Sequence, residues 1–470
     1  MAQETAPFGL EACLFRPSCS FCLTKTMSTD LSRRYIIIRG QTYDVTDFQH
    51  PGGAHMIDLG IGRDATVMFE SMHVRMEWAD RALQLIPKAP SVEKLESAGY
   101  VFDRPQESWA TPGQSELYSS IRQRILDEIL RPMGRAEGPG GARGVPWWHV
   151  ACVFCGWLSA AVYFVWRPSM ISAFLLGLMI AWVGLAIQHT ANHGGLVKNP
   201  RLGYLLGLTN DVCAGGSSLV WRYHHQCSHH VYCNDIVLDQ DAHSSFPLMR
   251  LDKVQECKAM HRLQFLYAPV LFSALYFSIQ MQDVMCLWDA RTFLVNFKGT
   301  SRGEIAVGFV LKIIHYCWFF VLPAVLHGFW NVLLPCFVTM AVGSFALSAL
   351  FIISHNIECA KEAEAPAKES GDWARYQIET SSSWGGCLGS FCTGGLNLQI
   401  EHHLFPALPH HLYTRAQVIV KEECAKRQIR YNEYGTLLSN FFDHLKFLFK
   451  AGRPGYWDTK VTSQYIPPKF

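Results

Sequence analysis

The chain has 470 residues, of which 49% are hydrophobic, 13% aromatic and only 17% charged, and its mean hydropathy is +0.08. So apolar a composition excludes most soluble folds and points to membrane spans. A formal charge of +2 gives no ground for a nucleic acid or other polyanionic partner.

Residues 1–27 carry few charges and no unbroken apolar core, so they are expected to be a disordered leader rather than a signal peptide. Residues 28–100 form a polar unit predicted to be a small α+β domain. Tyr35 to Ile38 and Tyr43-Asp44-Val45 flank a turn and read as two strands. His50-Pro51-Gly52-Gly53 is a turn whose glycines let the backbone pass close to a flat ligand, and Phe69 and His73 close a short helix after Gly62-Arg63-Asp64-Ala65-Thr66. These motifs resemble the cytochrome b5 domain, from its Tyr-Asp-Val-Thr lead to its His-Pro-Gly-Gly signature. The resemblance implies haem b with His50 and His73 as its axial ligands. His55 lies outside the pattern and is expected to be solvated.

Residues 101–145 are broken by Pro105, Pro112, Pro132 and the glycine-rich run from Glu137 to Arg143, around a helical segment near 114–130. This composition predicts a mobile tether that lets the haem domain reach the body. The body is assigned to residues 146–450 and a tail to 451–470. Apolar runs at about 147–166 and 169–188, and again at 305–328 and 331–354, are each long enough to cross a bilayer as a helix and predict two hairpins. The run at 264–281 is interrupted by Gln280, Gln282 and Asp283 and is assigned to the interface. Four crossings leave the ends of the second and fourth spans, and the haem domain, on one side, expected to be cytosolic.

Three histidine clusters stand at that side: His189-Thr-Ala-Asn-His193, His225-Gln-Cys-Ser-His229-His230 and Gln399-Ile-Glu-His402-His403. A spacing of i, i+4 puts two imidazoles on one helix face. With no cysteine or carboxylate partner at ligand spacing, the clusters suit iron, zinc or copper rather than magnesium or calcium. Asp239 and Asp241 are placed either to hydrogen-bond ligand histidines or to lie in a solvated loop. The sixteen cysteines are scattered, and Cys152, Cys155, Cys317 and Cys336 lie in apolar runs, so they are expected reduced and packed as small hydrophobes. Cys359 to Asp372 reads as a solvated loop.

The boxes resemble those of membrane fatty acid desaturases. The fused haem domain and the glutamine opening the third box are similar to front-end desaturases, which include sphingoid-base enzymes. The resemblance implies an all-α body of four transmembrane helices with a cytosolic helical cap, and a diiron site at His189, His193, His225, His229, His230, His402 and His403. His355, at the end of the fourth span, is implied as a further ligand and Gln399 as a possible one; His224 has no assigned role, and His410 and His411 belong to the following helix. The implied substrate is a polyunsaturated acyl lipid or acyl-CoA, with dioxygen as co-substrate. Electrons would come from NADH through a cytochrome b5 reductase, at the endoplasmic reticulum. The expected product has a new cis double bond between the carboxyl end and an existing one, with delta-5 or delta-4 favoured over delta-6 or delta-8. A sphingoid-base desaturase and a haem-fused hydroxylase stay open as alternatives. So does the different class of haem electron carrier or metal transporter, although a transporter would place ionisable ligands near the bilayer midplane.

Overall fold

A computed structural model describes residues 30–103, 111–137 and 141–456; the expected leader and most of the expected tail lie outside them. Strands β1 (Tyr35–Ile38) and β2 (Gln41–Asp44) pair antiparallel, with Ile36 opposite Tyr43 and Ile38 opposite Gln41. Arg39 and Gly40 between them both have positive φ, 50° and 74°, as a two-residue hairpin with right-twisted strands requires. Ile36, Ile38, Val45, Ile61, Leu83 and Ile86 close the small core of this α+β unit.

Among the described residues, four helices are long and apolar enough to cross a membrane: Trp147–Trp166, Met170–Asn192, Arg302–His327 and Phe329–His355. They match the four predicted spans. The second and fourth pack along each other with almost no side chain at the crossing. A Cβ on Gly177 would stand 2.7 Å from the Thr339 carbonyl oxygen, and one on Gly343 would stand 3.1 Å from that of Gly177. Small residues at a crossing let helix backbones approach where lipid supplies no hydrophobic drive. Phe164, Leu176, Phe319 and Met340 fill the space between the four helices. Exposed tryptophans, Trp147 and Trp166 at the ends of the first helix and Trp330 at the start of the fourth, suit a membrane–water interface.

The run at 264–281 falls within two helices, Ala259–Phe272 and Leu275–Asp289, bent by 74° at their junction. Cys152, Cys155 and Cys317 are free and face outward, whereas Cys336 is buried. Packing against protein thus holds for Cys336 alone of the four.

Two segments expected to be loose are ordered. Within the expected tether, the helical segment expected near 114–130 is present as Glu116–Arg124 and the wider helical turn Ile125–Leu130, but it is docked: Tyr118, Ile121 and Ile125 are buried against Trp373, Phe405 and Tyr413. The proline and glycine content at both ends hid an apolar face in the middle. Cys359 to Asp372 is mostly the helix Glu358–Glu369, with Ala360 and Ala367 buried, because its charges lie on one face only.

Candidate metal centre and haem site

The second span delivers the first box. Its last turns, Val183–His189, widen into a π-helix, and the His189 and His193 rings then lie 4.7 Å apart between centroids. The second box lies on another π-helix, Arg222–His229, a form concentrated at functional sites. There His225 meets His230, with Nε2 atoms 3.0 Å apart, and also His189, at 3.3 Å between Nε2 atoms. The short helix Gln399–Leu404 brings in the third box, and the His402 ring lies 4.5 Å from that of His189.

The eight histidines divide into two adjoining groups. His189, His193, His225 and His402 offer nitrogens all within 4.8 Å of one another, as do His229, His355 and His403 together with Cys233. His230 stands between them, 4.7 Å from His193 and 4.6 Å from His403 by ring centroid. All eight are buried. Burial drives His225, His230, His402 and His403 well below the usual imidazole range, so they are neutral and keep a lone pair for a metal. Both nitrogens of His193, Nδ1 of His230 and Nε2 of His402 are buried without a hydrogen-bond partner. Buried polar atoms are rarely left so, and ions seated in each group would satisfy ring nitrogens of this kind.

Several outer contacts fix the rings. His229 Nδ1 lies 3.0 Å from Asp239 Oδ2, His402 Nδ1 3.2 Å from the Tyr413 hydroxyl, and His403 Nδ1 2.8 Å from Gln377 Oε1. Burial opposes protonation of His229, but the carboxylate of Asp239 beside it outweighs that and raises its pKa. The Gln399 amide nitrogen lies 3.1 Å from Nε2 of both His355 and His403.

In the amino-terminal unit, His50 and His73 face each other with ring centroids 5.9 Å apart and planes at 72°. That separation fits two nitrogens reaching one iron from opposite faces of a flat ring. His73 Nδ1 is 2.7 Å from the Phe69 carbonyl oxygen, which fixes the proton there and leaves Nε2 free. Burial pushes His50 down to about 3 and lowers His73 as well, so both are neutral.

The sequence model of the family described as fatty acid desaturase matches residues 164–435, and that of the cytochrome b5-like heme/steroid binding domain matches residues 24–95. The chain belongs to the fatty acid desaturases. Its cytochrome b5 domain at the amino end makes it a desaturase of the front-end type, an oxidoreductase whose cofactors are haem and two irons. It is 39% identical over 423 residues, 87% of this chain and 79% of the relative, to an acyl-lipid (7-3)-desaturase, chloroplastic, of Chlamydomonas reinhardtii. An acyl-lipid (8-3)-desaturase of Mortierella alpina is 30% identical over 89% of this chain and 94% of its own length. A probable Delta(5) fatty acid desaturase C of Dictyostelium discoideum is 28% identical over 89% and 92%.

Three expectations about this desaturase are corrected. The boxes do have a cysteine at ligand spacing: Cys233, four residues after His229, lies 3.4 Å from His355 Nδ1. Its spacing from His229 is local and stands in the sequence; what the sequence does not give is its contact with His355, 122 positions away. His55 is buried, with its ring 5.1 Å from that of Tyr204, because the haem domain sits on the body. The His225–His229 pair is joined by His230 across five residues, which an α-helical period does not give. Of the two acids left open, Asp239 is fully buried beside His229, whereas Asp241 is half exposed and pairs with His224 at 2.8 Å. His410 leads into the helix Tyr413–Lys426 as expected, but it also lies buried, 3.0 Å from both Thr190 Oγ1 and His149 Nδ1.

Arg63 fixes the haem domain to the desaturase body. Its guanidinium donates to the Asn296 carbonyl at 2.7 Å, lies 3.3 Å from Cys227 Sγ and stacks over the Tyr223 ring. Cys227 lies inside the second box, so this dock places the two cofactor sites in one packed unit.

Proposed function

We propose that the chain inserts a cis double bond at delta-5 or delta-4 of a polyunsaturated acyl chain, using one iron at His189, His193, His225, His230 and His402 and a second at His229, His355, His403 and Gln399. The haem would be held by His50 and His73. The observation that carries this reading is the convergence of eight buried histidines from four separate segments, several with ring nitrogens that no protein atom satisfies. Removing two hydrogens from adjacent methylenes while reducing dioxygen to two waters takes two further electrons and two protons. The irons, when bound, activate dioxygen for a bond that no side-chain acid or base can break. The protein's own groups hold the ligand rings in place, Asp239 on His229, Gln377 on His403 and Tyr413 on His402. A cytochrome b5 reductase using NADH is the proposed electron source.

The acyl chain is assigned to the cavity between the second and fourth helices and the bent pair. Ile180, Ile279, Phe319, Met340 and Leu347 give it apolar walls.

The boxes and the haem domain are assigned to the cytosolic face of the endoplasmic reticulum, with two helical hairpins beneath a helical cap. Support comes from the clusters: the His229 and His355 rings lie 4.9 Å apart, which needs an even number of crossings between them. The 74° bend of the intervening pair is consistent with re-entry rather than passage. Tagged chain found in a plastid fraction would overturn the compartment.

The deciding experiment feeds single polyunsaturated acids to yeast expressing the chain and separates the fatty acids by gas chromatography. A new double bond at delta-5 or delta-4 is expected. Altered long-chain bases with unchanged fatty acids would replace this reading by a sphingoid-base desaturase.

A further inference from the structure

Among the described residues, the guanidinium of Arg143 in the haem cleft has no counter-charge. Arg143 belongs to the segment just before the first span, yet its Nη2 reaches the His-Pro-Gly-Gly turn. A Cβ on Gly52 would stand 2.9 Å from that nitrogen and 2.8 Å from His50 Cε1. Arg75, two residues after His73, is occupied elsewhere: its Nη1 donates to the Ala136 carbonyl at 3.3 Å and its guanidinium lies over the Trp78 ring. The charge of Arg143 is felt at both His50 and His73, and although Asp80 also acts on His73, no carboxylate acts on Arg143 itself.

The backbone that carries Arg143 is fixed. Gly144 N–H donates to the Gly195 carbonyl at 3.0 Å and Val145 N–H to that of Leu196 at 2.9 Å, so this segment is paired with the loop that follows His193. Gly52 and Met56 of the haem domain, Arg143, and Gly194 and Leu196 of that loop line one small cavity. A guanidinium turned into a partly buried cleft with no carboxylate beside it calls for an anion. Haem b has two carboxylates, both on one edge of its ring, and a guanidinium grips a carboxylate with two parallel hydrogen bonds.

We propose that Arg143 binds a haem propionate, and so holds the haem with its propionate edge against the desaturase body beside the first histidine box. The proposal rests on His50 and His73 as the axial pair. It assigns to a residue outside the haem domain a share of the haem affinity.

The test uses the full-length chain and its Arg143→Gln and Arg143→Lys variants, each reconstituted with haem b or with haem b dimethyl ester, in which both propionates are masked. Haem loss to excess apomyoglobin is followed at the Soret band. Arg143→Gln is expected to lose haem b about tenfold faster than wild type, the scale of one charge-assisted hydrogen-bonded pair. Wild type with the ester should lose it equally fast, the ester should add nothing in Arg143→Gln, and Arg143→Lys should fall between. Equal haem b loss from Arg143→Gln and wild type would overturn the proposal, as would an ester effect undiminished in the variant. A wild-type chain with no Soret band after reconstitution would instead remove the axial-pair reading on which the proposal stands.

Discussion

His225 and His230 bring their Nε2 atoms to 3.0 Å although five residues separate them, because the backbone from Arg222 to His229 is wound as a π-helix. An α-helical turn would pair His225 with His229 alone; the wider turn swings His230 inward and leaves His229 to meet His355 and His403. In the proposed division, these adjacent histidines would serve different metals. His229→Ala and His230→Ala are each expected to purify with about one iron rather than two, with an unchanged Soret band. Product should fall by more than about 100-fold, since even outer partners of a metal ligand are worth about 10–100-fold. Elemental analysis beside the haem spectrum checks this, and two irons retained in either variant would refute the division.

Asp239 tests the outer contacts. One of its oxygens lies 3.0 Å from His229 Nδ1 and accepts from the Asn234 N–H at 2.7 Å, while the other accepts from the Asp241 N–H at 2.9 Å. Asp239→Asn keeps the shape but loses the negative charge that holds the Nδ1 proton. Activity should fall about 10–100-fold while haem content stays constant. Asp241→Asn, at a half-exposed position, should cost less than about threefold, because exposed ion pairs contribute little. Equal losses at the two positions would count against the ordering by burial.

Much of this was legible in the sequence because its signals are local. The Tyr35–Ile38 strand, the His50 turn and the four apolar helices rest on patterns contained within single segments, and they appear where predicted. The division of the histidines was not legible, since it depends on a π-turn that no residue period announces. Cys233 reaches His355 only after segments 122 residues apart have packed, and Gln377 and Tyr413 reach His403 and His402 through folds of the chain that no residue period gives. His55 looked solvated because the surface that buries it, around Tyr204, belongs to the other domain.

Glu423 ties the former tether to the body and predicts an acid-sensitive contact. Its side chain is 2% exposed and pairs with Arg124, Lys426 and Arg427, with Ser120 donating at 2.8 Å. Burial alone would raise its pKa, yet the hydrogen bonds from Lys426, Ser120, Arg427 and Arg124 outweigh it and hold the carboxyl at about 2. A carboxyl lowered by folding contributes stability that is complete above its unfolded pKa of about 4.5 and is lost as pH falls toward 2. The melting temperature of wild type is therefore expected to drop over that window more steeply than that of Glu423→Gln. At pH 7 the variant should melt lower. Parallel curves for the two proteins between pH 5 and about 3 would show that Glu423 makes no such contribution.

The crossing of the second and fourth helices bears on the metal centre as well as on stability. Gly177 precedes His189 by twelve residues and Gly343 precedes His355 by twelve, so the two glycines meet at one level while each helix delivers its histidine to its own metal group further on. A Cβ on Gly177 would press on backbone, 2.7 Å from the Thr339 oxygen and 3.1 Å from the Gly343 nitrogen; neither helix can yield locally. Gly177→Ala should therefore force the helices apart, at the cost of about 1–3 kcal/mol typical of overpacking, and loosen iron along with the fold. Gly156→Ala is the matched control: its Cβ would meet the Met179 sulfur at 3.0 Å, the end of a flexible side chain that can turn aside. In detergent, Gly177→Ala is expected to melt several degrees below wild type and to purify with less iron, while Gly156→Ala matches wild type in both. If both variants melt with wild type, the close crossing does not set the spacing of the helices that carry His189 and His355.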